Sequence, residues 1–291
     1  MGAMILNQDT LLVRPVTKAD VGHIRRLLET AWRIHLRPTW QSLRPKLVTM
    51  PGVVVEDRVG VRGFMVFEPQ SFDKAIIIAA GLRDTWSVRP YLALILPKIE
   101  ALVRENSRSG LTYIGQDSWL MEGLLAQGFE AREWIITFER FGSHPPPETT
   151  QPARLRGAHR TDLGAIRLLD AMAFDHLWHK SAGHFNEALA TAGSFVVAEM
   201  DGQLVGFEWC EFYQKRGHLT RLAIHPDYQG RGIGAQLLRQ SILDALAKEI
   251  NLITLNTQET NERSQALYHR FGFTPTQQRI PLLWKKMDSP G

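Results

Sequence analysis

Residues 222–238 read Leu222-Ala223-Ile224-His225-Pro226-Asp227-Tyr228-Gln229-Gly230-Arg231-Gly232-Ile233-Gly234-Ala235-Gln236-Leu237-Leu238. The first three residues end an apolar strand. His225-Pro226 stops it, because proline brings no N–H to a ladder. From Ile233 the apolar positions recur at helical spacing. Between strand and helix, Gly230, Gly232 and Gly234 leave backbone N–H groups unshielded, and the helix start adds its own unpaired donors and the positive end of its dipole. Such a turn can cradle a diphosphate; the plainer alternative is a Gly-rich strand-to-helix turn with no ligand. Neither of the two common nucleotide loops is present: no Gly-Lys-Ser/Thr follows, and the spacing is not Gly-x-Gly-x-x-Gly. Neither ATP nor NAD is favoured.

The stretch Gln229-Gly230-Arg231-Gly232-Ile233-Gly234 resembles the acetyl-CoA loop of the GNAT acetyltransferase superfamily, Gln/Arg-x-x-Gly-x-Gly/Ala. A second family segment follows, an Asn trailed by Leu-Tyr and then Gly-Phe, matched by Asn261-Glu262-Arg263-Ser264-Gln265-Ala266-Leu267-Tyr268-His269-Arg270-Phe271-Gly272-Phe273. The resemblance covers roughly residues 153–287, about one domain length. It implies an α/β (α+β) fold, a mixed and mostly antiparallel sheet flanked by helices. It also implies acetyl-CoA as co-substrate. The pantetheine arm would pair with the backbone of Leu222, Ala223 and Ile224, and the diphosphate would lie on Gln229, Gly230, Arg231, Gly232, Ile233, Gly234 and Ala235. Asn261, Ser264 and Tyr268 would complete the cofactor contacts.

Composition sets wide bounds. With 291 residues, 44% hydrophobic and 22% charged, the chain is long enough for two globular domains. No apolar stretch approaches membrane-spanning length, and the N-terminal Met-Gly-Ala-Met-Ile-Leu lacks the basic start and long apolar core of a secretion signal. The single Cys210 excludes an internal disulfide and fits a reducing, cytoplasmic setting. It lies in the apolar run 207–212, as a packed thiol would. The net charge of +4 divides evenly between the halves and forms no basic arm, so it suits an anionic cofactor and gives no sign of a nucleic-acid partner.

Residues 142–153, Gly-Ser-His-Pro-Pro-Pro-Glu-Thr-Thr-Gln-Pro-Ala, continue neither helix nor sheet and read as an extended linker. The halves on either side repeat. Val13-Arg14-Pro15 to Asp20 answers Leu155-Arg156-Gly157 to Asp162; Val53–Glu56 with Gly63-Phe64 answers Val196–Glu199 with Gly206-Phe207; Leu124–Phe129 answers Tyr268–Phe273. Two tandem copies of one fold follow, over 4–141 and 154–288. The first has Trp86-Ser87-Val88-Arg89-Pro90-Tyr91 where the second has its glycines, Leu125 at the Tyr268 position, and Asp117 or Ser118 near that of Asn261. It reads as a degenerate copy, either shaping the acceptor site or only covering apolar surface.

Acetyl transfer to an amine requires deprotonation of the amine, a held oxyanion and protonation of the leaving thiolate. By resemblance Tyr268 stands over the sulfur as the acid. Alternation along Gly217–Ile224 is expected to put His218, Thr220, Leu222 and Ile224 on one face, where His218 would serve as base through water. Glu208 and Glu211 fall on opposite faces of the preceding strand, so at most one reaches the site; Glu208 is taken as an acceptor contact. Relatives that acetylate a ribosomal protein's N-terminus carry a glutamate five residues before the motif Asn. Here that position is Asn256, which can orient an acceptor but cannot act as a base. His176 and His179 share a helix face, but no complete tetrahedral set accompanies them, so no metal is expected; His176 and Trp178 read as acceptor contacts. The expected activity is acetyl-CoA-dependent N-acetyl transfer by direct attack in the C-terminal half, on a small-molecule amine or a peptide amine, from a monomer with no membrane partner. The alternative is a non-catalytic sensor that binds acyl-CoA or another ligand on a doubled fold.

Overall fold

The computed structural model describes residues 11–37, 39–70 and 74–287. The chain divides into two compact units. One comprises residues 1–133 with 280–291, the other 134–279. In unit 1 the elements run β1 (Leu12–Pro15), α1 (Val21–Thr30), β2 (Arg33–Leu36), α2 (Trp40–Leu43), β3 (Gly52–Asp57), β4 (Gly60–Pro69), β5 (Lys74–Leu82), α3 (Val88–Glu105), β6 (Gly110–Ile114) and α4 (Ser118–Leu125). Strand β7 (Glu130–Phe141) carries the chain into unit 2, which continues with β8 (Arg154–Gly157), α5 (Leu163–Ala173), α6 (Ala182–Thr191), β9 (Ser194–Met200), β10 (Gln203–Tyr213), β11 (Arg216–Ile224), α7 (Ile233–Ala247), β12 (Leu252–Gln258) and α8 (Glu262–Arg270). Strand β13 (Thr274–Lys286) returns to unit 1.

Within each unit the described strands pair mostly antiparallel, with one parallel pair among the described residues, β5–β6 in unit 1 and β11–β12 in unit 2. Each unit repeats the same details. Arg14 bridges Asp20 and Glu56, each at 2.7 Å, and Arg156 bridges Asp162 and Glu199, again at 2.7 Å. Ile78 is an extra residue in β5 against Val66 and Phe67 of β4; Thr220 is the same extra residue in β11 against Trp209 and Cys210 of β10. These are β-bulges.

In unit 1, apolar residues of α3 and α4 (Leu92, Ile95, Ile99, Leu120, Leu124) pack with one set of sheet residues, and Ile24 and Leu27 of α1 pack with the other. In unit 2, α7 and α8 lie with Cys210, Leu219, Leu255 and Phe138, while α5 and α6 lie with Val197, Phe207, Trp209 and Ala223.

The outer strands depart from the expected division at 142–153. Residues 135–141 of β7 pair antiparallel with β12 inside unit 2, and Leu282–Lys286 of β13 pair with β6 inside unit 1. The compact units are therefore cut within strands, at 133/134 and 279/280, rather than at the proline-rich stretch. Proline composition reports where the chain cannot pair; it carries no information about which sheet a flanking strand joins. Residues 4–10 and 288 of the expected boundaries lie outside the described residues. The stretch 144–152 forms neither helix nor strand, and its end is held by α7, where Gln236 accepts from the Ala153 N–H and donates to the Ala153 carbonyl.

A fragment cut at the proline-rich stretch, 142–291, loses the strand that pairs β12 and exposes that edge. It is expected to aggregate on size-exclusion chromatography, whereas a fragment 130–279 that keeps all of β7 is expected to elute as a folded species with cooperative melting.

Candidate active site

The turn after β11 has the form a diphosphate requires. Pro226 opens a short 3-10 turn to Tyr228, and Gly230 (φ 83°) and Gly232 (φ 87°) then take left-handed conformations that side chains disfavour. Gly232 caps α7, so the N–H groups of Ile233, Gly234 and Ala235 have no intrahelical acceptor. Gly234 is different: its φ is ordinary, and an added Cβ would make only normal contacts with Ile224 and Leu267. The side chains of Ile233 and Ala235 are buried, so their contribution to the cradle is backbone alone. Two arginines border it. Arg231 lies 4.8 Å over the Tyr228 ring, and Arg263, in the first turn of α8, donates to Gln229 Oε1 at 2.7 Å and comes within 3.7 Å of the space beside Gly230. Arg263 was not singled out from the sequence; its place two residues after the motif Asn261 was the available signal. Thr150 was missed too, and its hydroxyl lies 2.8 Å from where a Gly232 Cβ would stand.

Beside the cradle the sheet opens. Strands β11 and β12 pair from Arg216/Leu252 to Leu219/Leu255 and then part, directly at the bulged Thr220. Beyond it, among the described residues, Leu222, Ala223 and Ile224 pair with β10 alone, while Asn256–Gln258 pair with β7.

Unit 1 has the same parting, after Ile76/Thr112, but there β2 fills it: Arg33–Leu36 pair antiparallel with Leu82–Ala79. Asp117, which precedes α4, gives its carboxylate to His35 at 2.6 Å rather than to the helix cap. Arg33 donates to the carbonyls of Asp84 and Trp86, in the loop that answers the glycine cradle. In this copy the chain itself occupies both the strand edge and the loop.

The bulge also corrects the expected face of β11. Because Thr220 is doubled against β10, the alternation shifts by one. Leu222 and Ile224 turn toward α7, and His218 turns to the α5/α6 face together with Arg221 and Ala223. His218 Nδ1 sits 2.8 Å from the Thr254 hydroxyl, which itself donates to the Gly217 carbonyl. The Nδ1–H therefore donates to Thr254, leaving Nε2 with its lone pair. Burial holds the imidazole below its ordinary pKa, so it is neutral at pH 7. Asn256 shares this face and accepts from Thr137 Oγ1 at 2.9 Å. Tyr268 lies on the opposite side, its ring between Phe138 and Phe273, and burial pushes its phenol up to about 12 with the neighbouring Ser264 acting against the rise. Asn261 caps α8 by accepting from Ser264 N–H. His176 and Trp178 form a 3-10 turn rather than a regular helix; His176 is exposed beside Asp175, and the Trp178 carbonyl accepts from Arg221.

Glu208 is not an acceptor contact. It faces α7 and is fully buried, with the Ser194 hydroxyl 2.6 Å from it and 2.7 Å from Asp244. One hydroxyl proton cannot serve two carboxylates, so one carboxyl keeps its own proton; burial accordingly raises Glu208 to about 8. Since the folded state then holds a proton that the unfolded chain releases near pH 4.5, stability falls as pH rises from about 5 to about 8, at up to about 1.4 kcal/mol per unit. Melting temperatures measured across that range are expected to decline in the parent chain and to flatten in Glu208→Gln.

The model of the Acetyltransferase (GNAT) family matches residues 163–273. Over 123 residues the chain is 33% identical to a mycothiol acetyltransferase of Acidimicrobium ferrooxidans, covering 37% of this chain and 39% of that protein. It is 25% identical to a putative ribosomal protein bS18-alanine N-acetyltransferase of Bacillus subtilis over 42% of this chain and 82% of that one. The match thus spans well under half of the mycothiol enzyme's length. In fold the chain is similar to a GCN5-related N-acetyltransferase from Sphaerobacter thermophilus (TM-score 0.67, 15% identity, 97% of each chain). It is equally similar to a tandem GNAT protein of the clavulanic acid biosynthesis pathway (TM-score 0.67, 15% identity, 97% of this chain and 99% of that one). The chain carries a GNAT acetyltransferase family domain at residues 163–273, in a fold shared with tandem GNAT proteins.

Proposed function

We propose that the protein is an acetyl-CoA-dependent N-acetyltransferase whose C-terminal half transfers the acetyl group by direct attack of an amine on the thioester. One observation carries the reading: among the described residues no strand pairs with the parted edge of unit 2, while unit 1 fills its own edge and loop with β2 and Arg33. The residues fit the co-substrate. A diphosphate suits the donors of residues 233–235 and the guanidiniums of Arg231 and Arg263, and a pantetheine arm suits the unpaired side of Leu222–Ile224. The acceptor is an amine of a small molecule or a peptide.

The two faces of the sheet support a division of roles. His218 and Asn256 meet the wedge from the α5/α6 side, and Tyr268 meets it from the α7/α8 side. The amine arrives on the first side and loses its proton to His218 Nε2 through water. Its nitrogen adds to the thioester carbonyl, and the oxyanion takes the N–H that the bulge at Thr220 leaves outside the ladder. Collapse breaks the C–S bond, the nitrogen gives up its second proton to solvent, and the sulfur departs as a thiolate toward Tyr268 and is then protonated from solvent. A phenol held near 12 remains protonated beside a thiolate of ordinary pKa about 8.5, so Tyr268 acts by donating a hydrogen bond as charge builds on sulfur.

Calorimetry with acetyl-CoA is expected to give one equivalent per chain, abolished in Gly230→Val/Gly232→Val. Two equivalents would assign a site to unit 1, and none would end the reading. In a panel of amines, Tyr268→Phe is expected to lower kcat about tenfold to a hundredfold with little change in KM. His218→Ala is expected to lose the acid limb of kcat/KM, which burial places below the ordinary imidazole range, in line with a general base contributing roughly 10²–10⁴-fold. Binding that persists with no amine ever acetylated would favour a sensor.

A further inference from the structure

One segment behaves oppositely in the two copies. Anchored on Asp20 and Asp162, which hold equivalent ion pairs, Leu28 answers Asp170, Trp32 answers Phe174 and Leu36 answers Trp178. Anchored on the bulged Ile78 and Thr220, Ala79 answers Arg221. In unit 1 the segment is a strand, β2, zipped onto the β5 edge at Ala79–Leu82. In unit 2 it is the 3-10 turn His176–Trp178, and among the described residues it pairs with no strand.

The difference traces to a buried ion pair. Arg221 Nε donates to Asp170 Oδ1 at 2.6 Å, and both side chains are nearly inaccessible. The same guanidinium donates to the Trp178 carbonyl at 2.8 Å and lies 3.5 Å over the Phe174 ring. Asp170 Oδ2 accepts the Lys180 N–H at 3.2 Å, and the Phe174 carbonyl is engaged by His179 Nε2 at 2.9 Å. Residues 174–180 are thus tied at both ends to one pair of charges, and carbonyls that a ladder would need are already taken. In unit 1 the pair is replaced by Leu28 and Ala79; among the described residues no cation lies over Trp32, which stands 90% exposed. Buried ion pairs contribute little net stability over apolar residues of similar size, so the role of this one lies in the conformation that it selects.

We infer that the Arg221–Asp170 pair is a positioning device that holds residues 174–180 in their turned form and so keeps the Leu222–Ile224 edge from being closed by the chain itself. The identity of what uses that edge rests on the acetyl-CoA reading; the clamp does not.

The test is hydrogen exchange on the full chain without ligand, comparing the parent with Asp170→Leu/Arg221→Ala, the residues that unit 1 carries. Residues 221–224 are expected to exchange at least tenfold more slowly in the double variant as the segment zips onto the edge, and the acetyl-CoA Kd is expected to rise at least tenfold. General loosening would move exchange the other way, so unchanged or faster exchange at 221–224 overturns the inference. Should the double variant not fold, Arg221→Lys keeps the charge beside Asp170 and gives up the reach to Trp178. Slower exchange at 221–224 in that variant supports the clamp, and unchanged exchange overturns it. If the parent chain binds no acetyl-CoA, the functional proposal falls while the exchange result still decides the clamp.

Discussion

A sheet whose neighbouring parallel strands part must find partners for the backbone groups that it uncovers. Both units meet this constraint near a bulge: the parallel pairing stops after Ile76 in unit 1, two residues before Ile78, and after Leu219 in unit 2, directly before Thr220, and a short run of N–H and C=O groups then faces a gap. Unpaired backbone groups away from water are costly. Unit 1 meets the demand with β2, using four residues of its own chain. Unit 2 leaves it to solvent or to a ligand that presents amides of its own, which a pantetheine arm does. The rest of the site, cradle and side chains alike, is arranged around that gap.

Much of this was legible in the sequence. The glycines at 230 and 232 are required by positive φ, and both fall in the turn read as a cradle. The repeat was legible because Arg14/Asp20 and Arg156/Asp162 make the same ion pairs and must keep the same spacing. What could not be read was any feature that depends on one inserted residue. A bulge has no composition of its own, so simple alternation placed His218 beside Leu222 when the strand carries them to opposite faces. Glu208 was misplaced for a related reason: a period of two gives two faces but not which of them a helix covers, and α7 covers this one. The strand exchange was hidden as well. Residues 134–138 and 280–285 both lie in strands, yet the sheet that each joins depends on pairing, which the sequence does not record.

The buried polar groups of unit 2 divide into two kinds. Glu208, Ser194 and Asp244 share protons beneath α7, where a neutral carboxyl avoids most of the desolvation cost of a charge. Asp170 and Arg221 stay as an ion pair, tied to backbone groups on both sides. The first arrangement is local, confined to β9, β10 and α7. The second fixes the conformation of seven residues beside the gap, which is a reason to keep charges that an apolar pair could replace.

Placing His218 and Tyr268 on opposite faces has a chemical consequence. A base and an acid on the same face would compete for one proton and one approach to the carbonyl. In the proposed reaction the nucleophile and the leaving sulfur have separate sides of the wedge, and each group would meet only the atom whose charge it manages. Each side is then tuned by its own surroundings: burial keeps His218 neutral with Nε2 bare, and burial keeps the Tyr268 phenol protonated. The protonation states needed at pH 7 are therefore set before any ligand arrives. The extra residue at Thr220 turns the second half of β11 against the first, so that His218 and Leu222 lie on opposite faces, and the pairing with β12 ends at Leu219, the residue before it.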